Sequence, residues 1–272
     1  MHVLTICNHK GGTGKTTSAI HVAAALGMSG RRTLVIDLDP QGFLTRTMGI
    51  AEPPEAESSL ALFDHQVNLR DVPTVSVRSF DILPASYGLT RSLRRLNKPT
   101  DVFWAKEALQ QGLDYDIVLF DTAAAVTVYS LNALVASRHL IVPVTPEYQP
   151  VLGAEQTAQT TQLVQERLNP ELADPLFLFT QVDARKNNHK MYRRYFRNKY
   201  GDKVMKSIIR TSAALADMHS DGTTAFDTSP SSRGSRDYAN ATDEIVRRAG
   251  LSMTTPQAVA DPLVQAVSHV GG

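Results

Sequence analysis

A glycine-rich loop near the start of the chain lies between a strand pattern and a helix pattern. The apolar run His2–Cys7 precedes the loop, and a helical pattern over Thr16–Met28 begins at its end. Glycines allow several backbone N–H groups to converge on one anion, and the N-terminus of the next helix adds its dipole. This arrangement predicts a phosphate-binding loop. The loop residues are Lys10, Gly11, Gly12, Thr13, Gly14, Lys15, Thr16 and Thr17.

Two side chains of this loop have predicted roles that imply ATP and Mg²⁺ as cofactors. Lys15 is expected to reach the β- and γ-phosphates, and the Thr16 hydroxyl is expected to bind Mg²⁺. The usual phosphate-loop pattern has a glycine where this chain has His9, and a second lysine, Lys10, follows directly. The alternative interpretation is an ordinary glycine turn between a strand and a helix.

Short apolar runs alternate with helical patterns along most of the chain. The runs are apolar on both faces, which is typical of strands in a parallel sheet that helices cover on both sides. We therefore predict an α/β fold of the P-loop NTPase type, with a doubly wound, mostly parallel sheet and helices on both faces. The predicted strands are His2–Cys7, Thr33–Ile36, Ile117–Phe120, Leu140–Val144 and Leu176–Thr180. The predicted helices are Thr16–Met28, Val128–Ala136, Gly153–Leu168 and Tyr238–Ala249.

The remaining segments complete the expected domain organisation. Val75–Val77 and Phe80–Leu83 are candidates for a further strand pair. No stretch resembles a flexible interdomain linker, so we predict a single P-loop ATPase domain over residues 1–250, followed by a C-terminal tail over residues 251–272. Segments rich in Pro, Ser, Gly or acidic residues predict surface loops. These loops are Ala51–Ser59 and Thr228–Ser235.

Composition excludes several classes of protein. Hydrophobic residues make up 42% and charged residues 20% of the 272 residues, as in ordinary globular proteins with a sizeable core. Cys7 is the only cysteine, so neither an internal disulfide nor an iron–sulfur cluster within one chain is expected. The first residues do not resemble a signal peptide, and no run of about 18 apolar residues predicts a membrane span. A cytoplasmic location is therefore expected.

Acidic residues follow two of the predicted strands. Asp37 and Asp39 come after Thr33–Ile36, and Asp121 comes after Ile117–Phe120. The carboxyl ends of parallel strands meet at the edge of the sheet where ligands bind in open α/β folds. We therefore expect these carboxylates to lie near the phosphate loop, with Asp121 holding the Mg²⁺ shell. For Asp39, the alternative is that it only caps the next helix.

Basic residues are concentrated in one segment, although the whole chain has a net charge of only +1. Between residues 185 and 210 there are ten Lys or Arg residues and one acidic residue, Asp202. Such a concentration predicts binding to a polyanion, and the alternative is a solvated basic helix. The residues spaced to share one helical face are Lys190, Arg193, Arg194 and Arg197.

The lysine pair and the first acidic segment resemble a known family. Lys10 together with Lys15 resembles the deviant Walker A loop of the ParA/MinD ATPases, and the run Asp37-Leu38-Asp39-Pro40-Gln41-Gly42 is similar to that of ParA/Soj-type partition ATPases. The resemblance implies that Lys10 acts on the partner's nucleotide when two subunits enclose two ATP molecules. It also implies that Asp39 positions or activates the attacking water and that Asp37 lies near Mg²⁺ or its waters.

Further positions of the resemblance concern the adenine and DNA. Thr180-Gln181-Val182-Asp183 and Ile208-Ile209-Arg210 match segments that lie close to the adenine in relatives, which implies that Asp183 and Arg210 bind the nucleotide. Relatives have two prolines where this chain has Ala123-Ala124, and a proline where it has Ile209. Basic residues of this region bind nonspecific DNA in relatives. The corresponding candidates are Arg185, Lys186, Lys190, Arg193, Arg194, Arg197 and Arg210.

The resemblance implies an ATP-dependent DNA-partitioning or cargo-positioning ATPase. ATP is expected to form a homodimer that binds nonspecific double-stranded DNA on the nucleoid, with slow hydrolysis stimulated by a ParB-like adaptor protein. One alternative is a non-hydrolysing, ATP-locked dimer that binds DNA as a structural protein. Another is a membrane-associated ATPase similar to MinD, which requires a basic amphipathic helix at its C-terminus. Leu251–Gly272 contains no Lys or Arg, so no membrane partner is expected.

Overall fold

Eight strands form one sheet in the computed structural model, which describes residues 1–216 and 221–251. Their order across the sheet is β3-β4-β2-β5-β1-β6-β7-β8, and every neighbouring pair is parallel except β3 and β4. The strands are β1 His2–Ile6, β2 Thr33–Leu38, β3 Val75–Val77, β4 Phe80–Leu83, β5 Ile117–Thr122, β6 His139–Val144, β7 Leu176–Val182 and β8 Val204–Arg210.

Helices connect the parallel strands and pack on both faces of the sheet. The α-helices are α1 Lys15–Met28, α2 Phe43–Thr47, α3 Gly88–Ser92, α4 Trp104–Gln110, α5 Val128–Ala136, α6 Tyr148–Arg167, α7 Asn187–Tyr200, α8 Ala213–Ala216, α9 Ala225–Thr228 and α10 Arg233–Arg248. The 3₁₀ helices are Glu55–Glu57, Ser59–Phe63, Leu69–Asp71, Pro99–Phe103 and Gly201–Lys203.

The fold class is confirmed, but the sequence prediction missed β8 and several short helices and misplaced some element boundaries. The predicted strand pair is the antiparallel hairpin of β3 and β4. The loop predicted over Thr228–Ser235 is wrong at its end, because α10 begins at Arg233 rather than at Tyr238. There the Ser235 N–H donates to the Ser232 hydroxyl, which caps the helix. The predicted tail lies outside the described residues except for Leu251, which is buried.

Small residues allow α1 to pack closely on the sheet. Ala19, Ala23 and Ala24 on this helix are buried against strand residues that include Leu4 and Ile6. Near the end of the helix, a Cβ at Gly27 would lie 1.7 Å from the Ser79 carbonyl oxygen, so a side chain cannot be accommodated there. Each large aliphatic side chain buried in this layer contributes about 1.5–3 kcal/mol to folding. The close packing fixes the first turn of α1 relative to β1.

Helix α10 covers the edge strand β8 with two carboxylates. Glu244 accepts hydrogen bonds from the backbone N–H groups of Lys206, at 2.8 Å, and Ser207, at 2.7 Å. Asp237 accepts from the N–H of Arg210 at 2.9 Å. These bonds satisfy amide groups that an outermost strand otherwise leaves to solvent.

The topology brings the predicted functional segments to one edge of the sheet. Strands β1, β2, β5 and β7 are parallel members of the sheet, so their carboxyl ends share that edge. In the register between β2 and β5, Asp37 lies opposite Asp121. Within the described ranges, the model contains no helix long and apolar enough to span a membrane.

Candidate nucleotide-binding site

The glycine loop joins β1 to α1 in a conformation that depends on two glycines. Gly12 has φ 73° and Gly14 has φ 80°, both in the left-handed region that side chains disfavour. Gly14 is the N-cap residue of α1 and supplies no side-chain cap, and the first turn contains no acidic residue. The N–H groups and dipole of the helix N-terminus are therefore available to an anion.

The two lysines of the loop have different environments. Lys15 is buried, its Nζ donates to the Lys10 carbonyl oxygen at 3.0 Å, and burial lowers the pKa of its ammonium group. An anion bound in the loop would offset the free-energy cost of burying this positive charge. The predicted contact of Lys15 with phosphate would provide such an anion. The Lys10 side chain is exposed, and it forms no hydrogen bond or ion pair within residues 1–216 and 221–251. Its charge remains available to a group outside the chain's own site.

Sequence analysis missed two residues that fix the start of the loop. Asn8 is fully buried; its Nδ2 donates to the Pro143 carbonyl oxygen at 2.7 Å, and its Oδ1 accepts from the Lys10 N–H at 3.0 Å. Gly153 on α6 lies against the same segment, where a Cβ would come within 2.7 Å of the Lys10 Cβ. A glycine inside a helical pattern was the available signal for this close approach.

Asp121 has the environment expected of a metal-shell carboxylate. It is fully buried, and its Oδ2 accepts from the Thr16 hydroxyl at 2.8 Å. Its Oδ1 has no hydrogen-bond partner among the described residues, although buried oxygens are normally paired. Burial, and next the charge of Asp37, raise the pKa of Asp121 well above its ordinary value. An unpaired carboxylate oxygen beside a threonine hydroxyl fits Mg²⁺, which takes oxygen ligands.

Asp37 and Asp39 make different contacts at the same edge. Both Asp37 oxygens are bonded: Oδ1 accepts from the Asp39 N–H, and Oδ2 accepts from the N–H and hydroxyl of Thr45. Burial raises the Asp37 pKa to about 6. Asp37 thus anchors α2, and both of its oxygens already accept hydrogen bonds. Its role near Mg²⁺ remains a prediction, and these bonds favour contact through the waters of the ion over direct contact.

Asp39 does not cap the next helix. The N-cap of α2 is Gly42, without a side-chain cap, whereas the Asp39 Oδ1 accepts from the Gln41 N–H at 2.9 Å. The capping alternative is therefore wrong for this residue. Asp39 is nearly buried beside Asp37 and Asp121, and its charge is among those that raise the pKa of both carboxyls. Its predicted role toward the attacking water remains a prediction.

The loop after Asp121 lies beside the phosphate loop although its two prolines are missing. The Thr122 hydroxyl donates to the Ile6 carbonyl oxygen at 2.9 Å, which joins β5 to the end of β1. A Cβ at Gly11 would lie 3.9 Å from that of Ala124. At this distance a side chain at Gly11 would not clash with Ala124. The Ala123-Ala124 segment therefore lies next to the loop that is predicted to bind the nucleotide.

Asp183 and Arg210, the predicted adenine-side residues, line one cavity of about 460 Å³. Asp183 binds Arg185 through both of its oxygens, and this pairing lowers the pKa of Asp183. Arg210 donates through Nε to Asp237 at 2.9 Å. Each side chain is thus held by a counterion. The cavity offers space for a nucleotide base, and the contacts of both residues with the base remain predictions.

Acidic residues outside the basic segment reduce its effective charge. Arg185, Lys186, Lys199, Lys203 and Arg210 pair with acidic side chains. Within the segment itself Asp202 is the single acidic residue, and these pairs add acidic partners from outside it. The partners are Asp183, Glu147, Glu155, Asp174 and Asp237.

The remaining charge of that segment is concentrated on α7. Lys190, Arg194 and Arg197 are exposed and form no ion pair in the described part of the chain. Arg193 is half-buried, and burial, followed by the charge of Arg197, lowers the pKa of its guanidinium group. The opposite side of the helix is anchored by Phe196, which is fully buried against aromatic residues of β7. We name Lys190, Arg194 and Arg197 the α7 cluster.

Asp121→Asn is expected to change nucleotide binding and stability in opposite directions. The amide should keep the Thr16 contact but place an N–H₂ group where the unpaired oxygen lies, so Mg²⁺-dependent ATP affinity should fall about tenfold. The pKa of Asp121 is higher in the folded state than in the unfolded state. Its contribution to stability is therefore full below the unfolded-state pKa and is lost as the pH rises through the folded-state pKa. The variant should therefore unfold at a higher urea concentration than the wild type at neutral pH. ATP titrations with and without Mg²⁺ and urea unfolding measure both effects.

Asp101→Asn is the matched control for this change. Asp101 is also buried, but it accepts from the Lys98 N–H at 2.8 Å and lies outside the nucleotide edge. Its replacement should lower stability and leave the Mg²⁺ dependence unchanged. The assignment is contradicted if Asp121→Asn lowers stability while Mg²⁺ still strengthens ATP binding as much as in the wild type.

Known proteins resemble this chain over most of its length. A family model described as an AAA domain matches residues 1–173. The sporulation initiation inhibitor protein Soj of Bacillus subtilis is 31% identical over 255 residues, which cover 89% of this chain and 97% of Soj. The chromosome-partitioning ATPase Soj of Thermus thermophilus is 33% identical over 246 residues, covering 90% and 95% of the two chains. The chain belongs to the ParA/Soj family of partition ATPases.

Solved structures share the fold of this chain. A cobyrinic acid a,c-diamide synthase from Mycobacterium smegmatis, with bound ATP analogue and magnesium, superposes with a TM-score of 0.79 at 28% identity, covering 92% of this chain and 95% of that one. A McdA–ATP complex from Cyanothece has a TM-score of 0.79 at 19% identity over 93% and 97% of the two chains. The second likeness concerns the fold alone.

Proposed function

We propose that this ParA/Soj-family ATPase uses ATP and Mg²⁺ to switch between a free state and a DNA-bound homodimer that positions a cargo. The observation that carries the proposal is the contrast between the residues predicted to bind phosphate and Mg²⁺, which are hydrogen-bonded within the chain, and a second loop lysine that has no partner among the described residues. Lys15, Thr16 and Asp121 are oriented within the chain's own site, whereas the Lys10 ammonium group is exposed. Positive charge near the transferring phosphoryl group stabilises its transition state.

Exposed apolar side chains support a dimer at the nucleotide edge. Large hydrophobic residues follow the carboxyl ends of four strands, β2, β4, β5 and β6: Phe43 is 53% exposed, Tyr87 70%, Val126 54% and Tyr148 64%. Exposed apolar residues grouped on one side of a protein favour association. A second copy of the chain placed over this edge would bury these residues and bring Lys10 toward the partner's nucleotide.

The α7 cluster supports binding to nonspecific double-stranded DNA. Its three side chains are spaced along one helix, carry no counterion among the described residues, and offer guanidinium and ammonium groups to phosphates. Two of the curated relatives are named chromosome-partitioning ATPases. The proposal therefore places this protein in the cytoplasm on the nucleoid, where a ParB-like adaptor on the cargo stimulates slow hydrolysis. A structural dimer that holds ATP without hydrolysis is the alternative.

Replacing the α7 cluster with alanine is expected to weaken binding to random duplex DNA by at least about thirtyfold in the presence of ATP. The salt dependence should also become less steep, because about three counterions fewer are released on binding. Fluorescence anisotropy between low and moderate salt, with ATP and with ADP, measures both quantities. ATP turnover without DNA should be unchanged.

A second basic group offers a matched control. Arg94, Arg95 and Lys98 are exposed and lie after β4, at the other end of the strand order from β7 and β8. Their triple alanine variant removes the same charge and should keep DNA binding within about threefold. Equal loss in both variants means that net charge, and not the α7 cluster, determines binding. Equal binding with ATP and ADP contradicts the switch.

A further inference from the structure

Gln181 has an unusual backbone conformation beside the phosphate loop. Its φ of 51° makes it the one residue other than glycine with positive φ within residues 1–216 and 221–251. Left-handed conformations of such residues cost free energy and persist where the surrounding structure enforces them. Gln181 lies near the end of β7, and its side chain is exposed. Neither core packing nor burial explains the conformation.

A bulge in β7 turns two consecutive side chains toward the loop. Between Phe179 and Val182 the chain advances three residues, while the paired positions on β8 advance two, from Ile208 to Arg210. Consecutive side chains of a regular strand point to opposite faces, and an extra residue changes that alternation. As a result, both residues of the bulge contact neighbouring carbonyl groups. The Thr180 hydroxyl donates to the Thr13 oxygen at 2.8 Å, and the Gln181 Nε2 donates to the Gly12 oxygen at 2.7 Å.

These bonds determine the direction of two loop N–H groups. In a planar trans peptide the C=O and N–H groups point in opposite directions. The Gly12 carbonyl shares its peptide with the Thr13 N–H, and the Thr13 carbonyl shares its peptide with the Gly14 N–H. Holding both carbonyls on β7 therefore turns both N–H groups away from β7. Gly12 and Gly14 have no side chain to maintain this orientation themselves.

We propose that Gln181 is a positioning residue that holds the Gly12–Thr13 peptide in its phosphate-binding orientation before the nucleotide arrives. Thr180 is buried and donates to the carbonyl of the next peptide in the same way. Gln181 is exposed, and the bond to the Gly12 oxygen is the one hydrogen bond that its side chain forms with the described residues. The free-energy cost of the left-handed conformation is offset by a preorganised anion site.

Two substitutions separate this role from a structural one. Gln181→Met removes the donor and keeps the length and the strain, whereas Gln181→Gly removes the donor and the strain together. Both should raise the Kd for ATP and for ADP about threefold to tenfold, because one hydrogen bond to the loop is lost. Without nucleotide, the glycine variant should melt no lower than the methionine variant, since glycine adopts positive φ readily. Fluorescent-nucleotide titration and thermal unfolding measure the two quantities.

A glutamine elsewhere on the surface provides the control. Gln159 on α6 is exposed and forms no hydrogen bond with the described residues, so Gln159→Met should leave nucleotide affinity unchanged. Weaker binding in both Gln181 variants, with the glycine variant as stable as the wild type, supports the proposal. Unchanged nucleotide affinity in either variant overturns it. The proposal is also overturned if the variant with the lower melting temperature loses affinity and the more stable variant does not.

Discussion

Lys15→Ala is expected to lower ATP turnover about a hundredfold or more and to weaken ATP binding at the same time. Lys15 is buried at the N-terminus of α1, and its ammonium group is held by the Lys10 carbonyl oxygen within the loop. The side chain is thus oriented before any nucleotide binds, and its pKa is already lowered by burial. A phosphate that arrives at the loop gains a charged partner without reorganisation of the site. Steady-state phosphate release and equilibrium titration with labelled ATP measure the two effects.

A loss of folding would imitate this result, so stability must be followed alongside turnover. The variant should melt within a few degrees of the wild type without nucleotide, because the buried ammonium group is disfavoured by desolvation in the empty site. Lys106→Ala on α4 is the matched lysine control and should leave turnover unchanged. Retained turnover in a folded Lys15→Ala protein contradicts the site described above.

Lys10→Ala is expected to separate hydrolysis from nucleotide binding. The Lys10 side chain forms no hydrogen bond or ion pair with the described residues, so ATP affinity measured on dilute protein should remain within about threefold of the wild type. Turnover should still fall about a hundredfold, because the proposal assigns the Lys10 charge to the transition state in the partner's site. Mass photometry with ATP should show fewer dimers than the wild type forms at the same concentration. Unchanged turnover together with unchanged dimers excludes the role across the interface.

Mixing the two inactive variants distinguishes action across the interface from action within one subunit. In a mixed dimer, the Lys10→Ala subunit keeps its own Lys15 and receives Lys10 from its Lys15→Ala partner. One complete site is restored per mixed dimer, so an equal mixture should recover up to about a quarter of wild-type turnover under random pairing in a two-fold dimer. Activity no higher than that of the separate variants shows that both lysines act in the same subunit.

Local sequence patterns predicted the central strands of the sheet and the phosphate loop, because the residues that form each of these elements are neighbours in the sequence. Strands β1, β2 and β5 are mostly apolar runs, and the glycines of the loop lie together between β1 and α1. The start of α10 was not predicted, because its capping serines resemble an ordinary loop. Strand β8 was not predicted, because Lys206 and Ser207 interrupt its apolar pattern; both residues are held by Glu244 from α10.

The candidate site shows the same division between local and distant determinants. Lys15, Thr16 and Asp121 are recognisable from the residues around them, and the structure brings the last two within hydrogen-bond distance. The bonding of Asp37 depends on Thr45 in α2, and the neutralisation of Lys199 depends on Glu155 in α6. Contacts of this kind arise only when separate elements pack together, so a count of charges along the sequence overestimates the free charge of the basic segment.

The carboxylates of α10 on strand β8 have a consequence for how copies of the protein can associate. Glu244 and Asp237 occupy the amide groups of Lys206, Ser207 and Arg210, so a strand of another molecule finds few free hydrogen-bond donors there. At the opposite border, β3 is only three residues long. Neither border supports open-ended growth of the sheet from molecule to molecule. Contact between copies is therefore left to faces formed by side chains.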